Sequence, residues 1–124
     1  MDEKRIPILV GSGQITQREQ DPLVALSPMD LTASAGFKAA DDTHIGKSIL
    51  KKLDTIVVIR SFSDTSWRFK CPFGKYSNPP LSLSKRLGAE KVNRLIYTYP
   101  GGNMPQWCVN RMFEMVTRGE LEIG

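Results

Sequence analysis

Few residues in this chain have the chemistry of a reaction centre, and the best-placed group among them holds no nucleophile. Gly101-Gly102-Asn103 lies between an apolar stretch, Arg94-Leu-Ile-Tyr-Thr-Tyr99, and a run with helical spacing that opens at Met104. Two adjacent glycines let a backbone approach a ligand closely or take positive φ. The first N–H groups of a helix have no intrahelical acceptor and can hold an anion or a carbonyl oxygen, as an oxyanion hole does. The alternative is a structural turn in which Asn103 caps the helix with its side chain. Pro105 then falls in the first helical turn, where a missing N–H is harmless. The spacing carries this helix to about Arg118 and stops it at Gly119.

The other reactive side chains are isolated. Cys108 lies inside that helix among Met104, Trp107, Met112, Met115 and Val116, which cover much of its circumference. The expectation is a buried helix and an inert thiol of raised pKa. Cys71 lies in a long loop beside Lys70, without an identified base. His44 is the single histidine and follows Asp41-Asp42-Thr43 at a helix junction, which suits a surface or capping role. One histidine and two distant cysteines do not make a zinc site, and no serine nucleophile elbow is present. Gly11-Ser12-Gly13 lacks the third glycine of a dinucleotide fingerprint and reads as a tight strand exit. No catalytic side chain is assigned.

The elements that must position the turn follow an alternating pattern. Ile6 to Ile15 begins as an apolar run that suits a buried strand. Ser27-Pro28-Met29-Asp30 is a helix start: serine cap, proline at the first position, and an acid where the dipole favours it. Leu31, Ala35 and Ala39 share one face of that helix, with Ala33, Phe37 and Ala40 flanking. A shorter helix spans about Ile45 to Leu53. Thr55-Ile-Val-Val-Ile59 is the strongest strand signal, apolar on both faces and so expected to be central and parallel. A loop from Arg60 to Pro80 follows, long enough to suggest a function. Pro79-Pro80 then opens a helix with Leu83 and Leu87 inward and Gly88 at its end.

Composition bounds the rest. At 124 residues, 40% apolar and 24% charged, the chain has ordinary globular composition. Its longest apolar runs are far too short to span a bilayer. Met1-Asp-Glu-Lys-Arg5 lacks the apolar run of a secretory signal, which points to a cytoplasmic location, with peroxisome and mitochondrion as alternatives. Cys71 and Cys108 are then free thiols. The net charge of +4 comes from scattered lysines and arginines, not from a basic face, so nucleic acid is not an expected partner.

Four segments, in order, resemble the N-terminal part of the thiolase superfamily, and within it the thiolase-like acetyl-CoA acetyltransferase group. They are Arg5-Ile-Pro-Ile-Leu-Val-Gly-Ser-Gly-Gln-Ile-Thr-Gln17; Ser27-Pro-Met-Asp-Leu31; Tyr76-Ser-Asn-Pro-Pro80 leading to Leu87-Gly-Ala89; and Gly101-Gly-Asn-Met-Pro-Gln106 with Arg118-Gly-Glu120. The resemblance implies an α/β chain, the first part of a thiolase-like layered αβαβα fold. In ordinary thiolases a reactive cysteine opens the last of these helices in a Cys-x-Ser-Gly pattern. Counting back from Gly119 places Gly102 at that position, and no Cys-x-Ser-Gly occurs anywhere in the chain.

By this resemblance the turn at Gly101, Gly102 and Asn103 binds a thioester, coenzyme A thioesters are the substrates or ligands, and no cofactor is held. The role is in lipid metabolism. The family's histidine and second-cysteine motifs belong to a C-terminal half that is absent here. Leu121-Glu-Ile-Gly124 reads as the start of a further strand, so the chain is expected to be truncated and inactive alone. Trp67, Phe69, Phe73 and Tyr76 serve either as satellite core or as lining for an acyl path. The family pairs subunits through the strand before the nucleophile helix, which here is Leu95 to Tyr99. Two other classes stand beside the acyltransferase reading: a non-catalytic acyl-CoA or lipid binder, and a gene fragment without independent activity.

Overall fold

The computed structural model describes residues 4–124. Met1-Asp2-Glu3, part of the stretch read for a secretory signal, lie outside the described residues. The α/β expectation holds: helix α1 (Pro28–Asp42), strand β1 (Thr55–Val58), helix α2 (Pro79–Leu87), strand β2 (Arg94–Tyr97) and helix α3 (Met104–Thr117) alternate along the chain. β1 and β2 pair in parallel, with Thr55 opposite Arg94 and Val58 opposite Tyr97.

The helix starts form as their residues dictate. The Ser27 hydroxyl accepts the Asp30 N–H, and Asn78 does the same for Leu81 at the head of α2. Gly88 closes α2 in the left-handed conformation, at φ 69°. The core lies where α1, α2 and β1 meet, around Met29, Ala33, Ile49, Leu50, Ile56, Leu83 and Leu87. Within α1 the deepest small residues are Ala33 and Ala40, the two expected to flank. Leu31, Ala35 and Ala39 are half-buried.

Besides Leu121-Glu122-Ile123-Gly124, which does not form the strand start it reads as, three elements differ from the sequence expectation. First, the Ile6–Ile15 segment forms no strand, and Ile6, Ile8, Leu9 and Val10 are 57–75% exposed. A strand needs a ladder partner. Between this segment and the outer edge of β1 lies an apolar cavity of about 220 Å³, lined by Val10 and Gly11 on one side and Thr55, Ile56 and Val57 on the other. Second, β1 is not central: its only sheet partner among the described residues is β2. Third, the short element after α1 is a 3₁₀ helix, Gly46–Lys52, as suits a single short connector. It still turns Ile49 and Leu50 into the core. His44, at the junction, is exposed with φ 63°, in agreement with the surface role.

One ion pair crosses the helical layer. Arg86 Nε donates to Asp30 Oδ1 at 2.7 Å, and its Nη2 donates to the Tyr76 hydroxyl at 3.0 Å. The Arg86 bond, helped by the Ser27 hydroxyl, holds the Asp30 carboxyl below its usual pKa of 3.8. The stability this provides is complete above that value and fades as pH falls through the lower, folded one. The side chains are 30% and 46% exposed, so solvent limits the effect. Arg86→Ala should cost about 1 kcal/mol at neutral pH. The difference from the parent should shrink below about pH 4, as urea titrations at a series of pH values would reveal.

Candidate active-site turn

Tyr97 ends β2, and the chain passes through Thr98, Tyr99 and Pro100 to Gly101. The strand is shorter than Leu95–Tyr99: the Thr98 N–H still bonds the Val58 carbonyl at 3.0 Å, but Tyr99 is 81% exposed. Gly101 has φ 142°, a conformation that L side chains rarely adopt, so glycine is needed there. Gly102 is different. A Cβ built on it meets nothing within 4 Å, and its φ is ordinary. The fold therefore does not demand glycine at position 102.

Asn103 does not cap α3 with its side chain. It has helical backbone angles, φ −82° and ψ −13°, whereas a capping side chain needs an extended backbone to reach back to the second or third helical N–H. The Gly101 carbonyl does that work instead, accepting the Met104 N–H at 3.1 Å, and the Asn103 carbonyl accepts from Trp107 at 3.3 Å. Pro105 has no N–H. The backbone N–H groups of Gly102, Asn103 and Gln106 make no hydrogen bond among the described residues. The turn therefore offers free donors at the positive end of a 14-residue helix.

α3 buries one face, through Met104, Cys108 and Met115, and does not lie buried all round: Trp107 is 47% exposed and Val109 39%. Burial raises the Cys108 thiol pKa, offset in part by a hydrogen bond with the Thr98 side chain. Cys108 is thus the buried packing thiol its sequence context implies.

The long loop folds back over the carboxyl ends of β1 and β2. Arg60 Nε donates to the Thr98 carbonyl at 3.2 Å, and its guanidinium stacks over the Tyr97 ring at 4.4 Å. The Tyr97 hydroxyl donates to the Asp64 carboxylate. Burial, and then that carboxylate, push the Tyr97 phenol above its ordinary pKa. Here the four loop aromatics part company. Phe73 and Tyr76 line a cavity of about 110 Å³ with Val58, Ile59, Tyr97 and Cys71. Trp67 and Phe69 point outward, 79% and 52% exposed. The Tyr97–Asp64 pair gave no sequence signal: Tyr97 read as a strand residue, and Asp64 sits among loop serines. No group of three metal-ligating side chains comes together among the described residues.

No family model matches the chain, and no curated protein sequence does. A search of solved structures gives a firm likeness to the crystal structure of a monomeric SCP2-thiolase-like protein type 1 from Mycobacterium smegmatis. The TM-score is 0.74 at 24% identity, over 98% of this chain and 22% of that one. The fold is α/β and thiolase-like. The chain spans about a fifth of the length of the protein it matches. No helix among the described residues is long and apolar enough to cross a membrane.

Proposed function

We propose that this chain belongs to a thiolase-like protein of the acetyl-CoA acetyltransferase group, which binds coenzyme A thioesters in lipid metabolism through the Gly101-Gly102-Asn103 turn. The observation that carries the reading is the turn itself. It joins a parallel strand to a helix, offers the N–H groups of Gly102, Asn103 and Gln106, and leaves open space at Gly102. A thioester carbonyl is the neutral acceptor that such donors suit. With glycine at position 102, no acyl-enzyme can form there. Carbon–carbon bond formation or cleavage beside the thioester would need a base from outside these 124 residues.

The likeness in fold supports this reading without reaching to substrate or reaction. The reading that stands second is a non-catalytic acyl-CoA or lipid binder, and the empty nucleophile position favours it for this chain taken alone. A second copy would pair with the outer edge of β2, which has no strand partner among the described residues. The Mycobacterium protein is described as monomeric, so sedimentation decides this point. Incubation with acetoacetyl-CoA and free coenzyme A separates the two functional readings. Saturable binding without acetyl-CoA release is expected of these 124 residues. Thiolysis would establish the enzyme, and absence of binding would remove both.

A further inference from the structure

The cavity at the carboxyl ends of β1 and β2 stands apart from the turn in composition. Its walls are apolar where Met29, Val58, Ile59, Phe73 and Pro79 meet. Its polar groups are unevenly occupied. The only carboxylate, Asp64, already accepts from the Tyr97 hydroxyl. The Ser61 and Ser63 hydroxyls lie 2.9 Å apart and use one hydrogen between them, so the second is shared between the Tyr97 oxygen, beside which Ser61 stands, and any ligand in the cavity. Lys75 at the rim makes no ion pair among the described residues. The cavity therefore offers donors, and its one carboxylate and one ammonium balance in charge, which favours a neutral ligand.

Size narrows the ligand further. An apolar cavity of about 150 Å³ takes a benzene molecule. At about 110 Å³ and open on one side, this one takes a comparable or slightly smaller body. In parallel α/β sheets the carboxyl ends of strands are where ligands bind. We propose that this cavity binds a small neutral carbonyl compound of about four to six heavy atoms, its apolar body against Phe73 and Ile59 and its oxygen towards the serine pair. The inference uses neither the turn nor coenzyme A, so it stands or falls separately from the function proposed above.

Cys71 lines the same cavity and is half-buried, whereas Cys108 is packed in α3, so the chain carries its own reporter and its own control. The probe is 2-pentanone, which is neutral and does not react with thiols. The measurement is the rate of iodoacetamide modification at each cysteine, followed by peptide mass. Affinity for six heavy atoms should be on the order of 1 mM. About 10 mM probe should then slow Cys71 modification about tenfold by mass action and leave Cys108 unchanged. In Ile59→Trp and in Ser63→Leu, each of which fills the cavity, the probe should have no effect. If Ile59→Trp does not melt cooperatively, Ser63→Leu decides. Absence of protection in the parent chain overturns the proposal, as does protection that persists in a folded, filled variant.

Discussion

Replacing Gly13 by leucine should cost about 3 kcal/mol and lower the melting temperature by roughly 10 °C. A Cβ at this position would overlap the Ala35 carbonyl oxygen and lie 2.5 Å from the Ala39 nitrogen, both backbone atoms of α1. Neither can move without breaking the helix ladder, so the segment itself must leave. Gly11 is under the same constraint, since a Cβ built on it would overlap the Ala39 carbonyl oxygen. These glycines allow the N-terminal segment to lie directly on α1, where the Ser12 N–H also reaches the Asp42 carboxylate at 2.9 Å. Gly102→Leu, by contrast, should leave the melting temperature within about 2 °C of the parent, because its side chain enters open space. Equal melting temperatures for parent and Gly13→Leu would refute the docked arrangement.

The second large effect is chemical. Gly102→Cys should create a thiol that reacts with iodoacetamide at pH 7 about ten times faster than a model thiol. The new side chain would be exposed, would fit without strain, and would stand before the first turn of α3, whose positive end favours thiolate over thiol. With acetyl-CoA the thiolate can attack the thioester carbonyl. The carbon–sulfur bond to coenzyme A breaks, and the coenzyme leaves as a thiolate that takes a proton from water. Intact mass should then record one acetyl group on the variant and none on the parent. A thiol at position 102 no more reactive than an unstructured one would mean that the N–H groups of the turn do not converge on that point.

These two positions also mark what the sequence made legible. Helix boundaries were readable because their determinants are local: Ser27 and Asn78 reach donors three residues on, and Gly88 and Gly119 take positive φ where the helices end. The parallel direction of β1 was readable from apolar residues on both its faces, whereas its pairing with β2 and its place at an edge were not. The role of Gly11 and Gly13 was not readable as close approach, because nothing nearby in sequence says that α1 passes against them. The strand expected at Ile6–Ile15 failed for a related reason: an apolar run cannot declare whether a ladder partner is within reach.

The turn falls between strand and helix as the sequence reads, and Asn103 takes the cap position without a side-chain hydrogen bond. Whether a cap residue uses its side chain depends on its backbone angles, and here the Gly101 carbonyl takes the Met104 N–H first. The strand-end cavity was invisible for want of any local pattern. Met29, Asp64, Phe73 and Tyr97 come from four separate stretches and meet only through the fold.

The central claim is that the turn recognises a coenzyme A thioester. Its most direct test is calorimetric titration of acetyl-CoA into the parent chain and into Gly102→Leu, with melting curves recorded on both. Saturable binding to the parent is expected, with a loss of at least tenfold in affinity for a variant that melts like the parent. Equal affinity in the two proteins, or no binding to a folded parent, would contradict it.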